Sequence, residues 1–161
     1  MTTKAIKLNV GFTMKNLRIV TALLLWCGAT TFAADQPATE KLVVDLGDNV
    51  TMEFVLVRPG TFTMGDEEAG SLFPLRKVTL TQPFYLGKYE VTQEQWEKVI
   101  GSNPSNFKGA KNPVETVSWD DCQSFLAKLK EKAPGHQFAL PTEAQWEYAC
   151  RAGSATDPGN L

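Results

Sequence analysis

Between residues 42 and 64 apolar and polar positions largely alternate, whereas from Val91 onward apolar residues recur every three or four positions. The first pattern belongs to strands with one buried face, the second to helices with one buried stripe. Residues 42–46 and 50–57 read as two strands joined by Gly47-Asp48-Asn49, residue types that suit a tight hairpin turn. In the second strand Met52, Phe54 and Leu56 share one face. Arg58-Pro59-Gly60 is a turn, residues 61–64 are a short strand, and Gly65 ends it. Residues 77–81 and 84–89 are two further strands with Pro83 between them.

Three helices follow, each with its own start signal. In VTQEQWEKVIG, Thr92 caps and Gln95 stands at the capping-box position, Trp96, Val99 and Ile100 form the stripe, and Gly101 stops the helix. In VSWDDCQSFLAKLKEK, Ser118 caps, Asp121 answers it, and Trp119, Cys122, Phe125, Leu126 and Leu129 line one face. In LPTEAQWEYACRAG, Thr142 caps, Gln145 reaches back, and Trp146, Ala149, Cys150 and Gly153 share a face. The three tryptophans thus predict helices anchored on a common core, with Glu147 and Arg151 on a more solvated side. TQEQWE (92–97) and TEAQWE (142–147) are near copies, one helix-start solution used twice rather than a solenoid repeat.

Between the first two helices, residues 101–117 (GSNPSNFKGAKNPVETV) form a long segment rich in turn formers with two Asn-Pro steps. Long irregular loops in small domains are often functional. The acidic turn at Asp66, Glu67 and Glu68 lacks the alternating oxygen spacing of a calcium loop. His136, the single histidine, falls on a polar Gly135-His136-Gln137 turn.

The N-terminal third changes the picture. Lys15 and Arg18 precede a short apolar run at 19–26, and Thr31-Phe32-Ala33 offers small residues for a cut after Ala33. Residues 1–33 read as a signal peptide, with Met14 as its start, because the run is too short to span a bilayer. Bulky Trp26 disfavours a lipid anchor at Cys27. Residues 34–40 are a polar tail, and 41–161 form the folded domain of an exported protein, periplasmic or extracellular. Losing four lysines and arginines leaves 12 basic residues against 18 acidic ones, a net charge of −6. That argues against nucleic acid or an anionic membrane as partner. No oligomeric state follows from the sequence.

Chemistry is sparse. Cys150 as a nucleophile lacks an adjacent base, so a buried helical thiol is the better reading. A Cys122–Cys150 disulfide is left open by export. Glu143 suits the helix dipole and Glu147 pairs with Arg151 one turn on, which accounts for both without acid–base work. One histidine and two separated cysteines offer no zinc spacing.

Four stretches, MEFVLVRPGTFTMG (52–65), VTLTQPFYLGKYEVTQEQW (78–96), NPVETVSWDDC (112–122) and LPTEAQWEYACRAG (140–153), occur in the order found in the formylglycine-generating enzyme, or sulfatase-modifying factor, family, which the chain resembles from about Leu42 onward. NPSNF and EYACRAG resemble its bacterial secreted branch. The resemblance implies an α+β, C-type-lectin-like fold of short twisted strands, a few helices and much loop. It also implies a family chemistry: copper- and oxygen-dependent oxidation of a sulfatase cysteine to formylglycine. In the family the catalytic cysteine pair and the calcium segments come after the motif matched by 140–153. Neither Cys122 nor Cys150 matches a catalytic position. Cys150 matches one that in some members bonds to a later cysteine. No catalytic, cofactor or metal residue is therefore carried onto this sequence. The expectation is the first part of such a domain, inactive alone as an oxidase, with a sulfatase or another protein as the partner the family suggests. The rival is an exported non-catalytic binding module using the 101–117 loop. A non-functional fragment exposing the Trp146 face is the third possibility.

Overall fold

The computed structural model describes residues 7–11, 40–66 and 74–152. The apolar run at 19–26, Met14, Cys27, the cut after Ala33, residues 34–39, Glu67, Glu68 and Gly153 lie outside the described residues. Among the described residues there are seven strands and three helices. In chain order they are β1 (Asn9–Gly11), β2 (Lys41–Asp45), β3 (Thr51–Val57), β4 (Gly60–Met64), β5 (Arg76–Leu80), β6 (Phe84–Gly87), α1 (Gln93–Ile100), α2 (Trp119–Lys132), β7 (Gln137–Ala139) and α3 (Glu143–Arg151). This is an α+β architecture.

The strands form a five-stranded antiparallel sheet, ordered β2-β3-β6-β1-β7, and a separate β4–β5 ribbon. Gly47, Asp48 and Asn49 all take positive φ, so the β2–β3 turn is made as their types require. Met52 and Phe54 of β3 are buried while Thr51 and Glu53 face out, as the alternation predicts. All four residues of β6 are buried, which suits its central place.

Each helix carries the expected capping box: Thr92 with Gln95, Ser118 with Asp121, and Thr142 with Gln145. Gly101 ends α1 in the left-handed conformation that glycine adopts without a Cβ penalty. Gln95 does double duty: its Oε1 accepts from the Thr92 N–H at 2.9 Å, and its Nε2 donates to the Thr51 carbonyl of β3 at 2.8 Å. The cap thereby fixes α1 to the sheet. Trp96 stacks on Phe125 of α2, ring centroids 4.8 Å apart and 8° from parallel. Around them Phe54, Val91, Val114, Leu126 and Leu129 complete the core.

The common core of three tryptophans does not form. Trp96 is buried, but Trp119 is 66% exposed and Trp146 50%. Trp119 is the first residue of α2, and α1 at 8 residues is too short to cover the whole stripe of a 14-residue helix; the two are about 12 and 21 Å long. α3 docks through another face. The Tyr148 ring packs on Phe62 of β4, centroids 5.3 Å apart. Glu147 and Arg151 are not solvated either. Glu147 Oε1 accepts from Arg151 and from the Gly65 N–H at 2.9 Å, and Arg151 Nη2 donates to the Gly65 carbonyl at 2.7 Å. These residues lie about 100° or more around the helix from Trp146, which turns that ring outward.

Two strands escape the sequence pattern. Gln137, placed on a turn, begins β7, and β1 lies inside the segment read as a leader. Three-residue strands carry too little periodicity to be seen without their partners.

Candidate functional site

The 101–117 loop is organised by one buried side chain, Gln93 in the first turn of α1. Its Nε2 donates to the carbonyls of Phe107 at 2.9 Å and Pro113 at 3.2 Å. Its Oε1 accepts from Asn103 Nδ2 at 2.9 Å and the Gly109 N–H at 3.1 Å. A primary amide has two donors and two acceptor lone pairs, and all four are used. The loop backbone in turn satisfies the start of α1: the Gln93 and Glu94 N–H groups donate to the carbonyls of Asn112 and Ala110 at 2.9 and 3.0 Å. These are groups a helix N-terminus cannot pair internally. Loop and helix therefore hold each other in place.

The tip is pinned from the other side. Glu115 accepts from the Phe107 N–H at 2.9 Å and from the Thr116 hydroxyl, and Asn106 Nδ2 donates to that hydroxyl at 3.0 Å. The Thr116 hydroxyl and then the Phe107 N–H hold the Glu115 carboxyl below its usual range. Thr116 itself has φ 62°, a left-handed conformation. For a β-branched residue this costs on the order of 1–3 kcal/mol and persists only where neighbours enforce it. The result is a rigid loop that leaves Phe107 79% exposed. Trp119, also exposed, follows Glu115 by four residues.

An open groove of about 470 Å³ runs beside the return limb, lined by Lys7, Lys88, Tyr89, Glu90, Thr92, Lys111 and Pro113. Lys88 is paired with Glu53 at 2.9 Å and Lys111 with Glu94, so much of the positive charge is already answered. Tyr89, itself exposed, lines it with Lys88 Nζ 4.9 Å from the ring centroid.

The two thiols are elsewhere and unpaired. Cys122 is buried in α2 and Cys150 half-buried in α3, both free, so the disulfide left open by the sequence is not made. Burial raises the pKa of each, with Asp121 adding to the shift at Cys122 and Lys7 partly offsetting it at Cys150. Neither is a ready thiolate at neutral pH. Among the described residues no three His, Cys, Asp or Glu side chains converge on a point that could hold a metal ion. The described side chains thus do not fit the copper or calcium sites that the resemblance implies for complete members. Among the same residues no helix is long and apolar enough to cross a membrane.

Gln93 and Phe107 escaped the reading of the sequence. A signal existed for both: Gln93 stands three residues before Trp96, on the inward stripe, and Phe107 is a large apolar residue among turn formers.

The model of the sulfatase-modifying factor enzyme 1-like domain matches residues 40–158. The chaperone protein LppX of Paenibacillus barcinonensis is 36% identical over 138 residues, covering 65% of this chain and 47% of that protein. The mouse (Mus musculus) formylglycine-generating enzyme is 34% identical over 58 residues, covering 36% of this chain and 14% of the enzyme. Among solved structures, variable protein 1 of Treponema denticola superposes with a TM-score of 0.62 at 25% identity, covering 70% of this chain and 57% of that one. The chain spans about half the length of the Paenibacillus relative.

Proposed function

The chain belongs to the sulfatase-modifying factor enzyme 1-like domain family, and from that premise we propose that it is a non-catalytic, exported module that binds polypeptide clients. The observation that carries this reading is the loop clamped by Gln93, which holds Phe107 in water on a rigid backbone. A large aromatic presented on a pinned backbone offers a partner apolar area at a reduced entropy cost of binding. The relative named as a chaperone supports a protein client, and the lectin-like fold that the family resemblance implies would suit recognition by loops. The oxidase reading asks for soft thiolate ligands to copper. Cys122 and Cys150 sit on separate helices with raised pKa values and do not supply them. A sulfatase is one client that the family suggests.

Two assays on the purified chain decide. In the first, chemically denatured, reduced lysozyme is diluted into buffer with and without the chain. Suppressed aggregation is expected, weakened at least threefold by Phe107→Ala; no suppression overturns the binding reading. In the second, a sulfatase-motif peptide with its cysteine is incubated with copper and oxygen. No aldehyde is expected, and copper-dependent formylglycine would overturn the non-catalytic reading.

A further inference from the structure

β2 is an outer strand of the main sheet. Among the described residues it pairs with β3 alone, so its other side is a free edge. The hydrogen bonds fix which groups lie on that edge. The Leu46 N–H donates to the Val50 carbonyl at 2.8 Å and the Leu56 N–H to the Glu40 carbonyl at 3.0 Å. In an antiparallel pair the bonding direction alternates along the strand. Leu42 and Val44 therefore bond inward to β3, and Lys41, Val43 and Asp45 direct N–H and C=O outward. Glu53, opposite Val43, fits this pattern, because its carbonyl accepts from the Lys88 N–H at 2.9 Å on the side away from β2.

The side chains are sorted in the same way. Val44 is buried in the core and Leu42 packs against it, whereas Lys41, Val43 and Asp45 stand on the other face in solvent, Val43 57% exposed. A charged residue on a free edge ordinarily keeps other strands away. Here the two charges have opposite signs and flank Val43 symmetrically. A two-fold axis at Val43 of an antiparallel pair sets Lys41 opposite Asp45 of a second copy, and Asp45 opposite the Lys41 of that copy. Val43 then meets Val43, and Leu42 meets Val44 on the core side. Lys41, Val43 and Asp45 would each sit in a pair that exchanges two main-chain bonds. Both charges are available for this. Lys41 is in no ion pair among the described residues, and Asp45 commits only Oδ1, which accepts from the Gly47 N–H at 2.8 Å.

We propose that β2 is a self-pairing edge, through which two copies of the chain join antiparallel about Val43 into one continuous sheet. Any strand can offer main-chain bonds to this edge, one from the same domain included. The charge pattern is what favours a second copy. Answering both charges takes a strand with a basic residue at its start and an acidic one four positions on, and among the described strands only β2 itself has that order. The opposite-charge pairs add to the main-chain bonds and fix the register. The proposal is independent of what the 101–117 loop binds.

The test is sedimentation equilibrium and amide exchange of the full chain between about 5 and 500 µM. A monomer–dimer equilibrium is expected. The amides of Lys41, Val43 and Asp45 should exchange more slowly as concentration rises, while those of Leu42 and Val44, bonded to β3 throughout, should not change. Lys41→Glu sets like charges opposite each other on both sides of the axis and should weaken the dimer about tenfold or more. Asp45→Lys should do the same. An equimolar mixture of the two variants should recover the parent affinity as a heterodimer, because each supplies the charge the other lacks. Val43→Pro removes an outward N–H without touching a bond to β3 and should give a monomer that melts like the parent. Lys41→Glu breaks no hydrogen bond of the fold, so its effect stands even where Asp45→Lys, which gives up the Gly47 contact, does not fold. A chain that stays monomeric throughout overturns the proposal. So does protection of the Val43 amide that is independent of concentration, which would mean that residues of the same chain already cover the edge. A dimer indifferent to Lys41→Glu and Val43→Pro also overturns it, by placing the contact elsewhere.

Discussion

Replacing Gln93 by leucine keeps the volume and the apolar stem but removes the amide that joins four groups of the 101–117 loop. The carbonyls of Phe107 and Pro113, the Gly109 N–H and the Asn103 amide all lose a partner. A neutral hydrogen bond contributes about 0.5–1.5 kcal/mol net, and a buried group left alone costs about 1–3 kcal/mol. Phe107 is exposed, Gly109 and Asn103 partly so, and water can recover some of those bonds. The expected loss is therefore about 2–4 kcal/mol, below a full penalty for all four groups. Urea unfolding of the parent and the variant measures the total. Amide exchange at Gly109 and Asn112 reports whether the loss is local, with protection falling there before it falls in β3 or β6. Gln93→Glu makes a sharper comparison. At neutral pH its carboxylate still accepts from Asn103 and Gly109 but sets a charge against two carbonyl oxygens, so it should be less stable than Gln93→Leu. A Gln93→Leu chain within 0.5 kcal/mol of the parent, with Gly109 protection unchanged, would refute the view that this side chain holds the loop.

Trp96→Ala removes the ring stacked on Phe125 and should cost about 3–5 kcal/mol, whereas Trp119→Ala should stay within about 0.5 kcal/mol; equal losses in thermal melts would contradict the assigned burial. Gly60→Ala would place its Cβ 2.0 Å from the Tyr148 hydroxyl, so the ring must swing off β4, seen as lost exchange protection in α3 with β3 unaffected. Glu115 and Asp121 both have lowered pKa values, from the Thr116 hydroxyl and Phe107 N–H and from the Ser118 hydroxyl and N–H respectively. A carboxyl whose folded pKa is depressed stabilises above its unfolded value and loses that contribution as pH falls through the folded one. Stability should accordingly drop below the ordinary carboxylate range, and Glu115→Gln with Asp121→Asn should flatten that part of an acid titration; an unchanged slope would argue against these bonds in solution.

The sequence by itself determined what depends on neighbours a few residues away. The three capping boxes, the Gly47-Asp48-Asn49 hairpin and the alternation of Met52 and Phe54 are short-range devices, and each is present as read. Family membership was legible for the same reason, since the quoted motifs are runs of adjacent residues, and the matched span of 40–158 contains them. Tertiary structure alone decided the rest. Which tryptophan is buried depends on how far α1 reaches along α2, and which face of α3 docks depends on Gly60, Phe62 and Gly65 of a distant ribbon. The stripe of a helix says that one side prefers to be covered, and only the partner's length and position say how much of it is. Gln93 became the centre of the loop because residues 10 to 20 positions away converge on its amide, β7 became a strand only by pairing with β1, and β1 by pairing with β6 and β7. Such contacts leave no periodicity in the chain, because hydrogen bonds between remote backbones place no constraint on the order of the side chains between them.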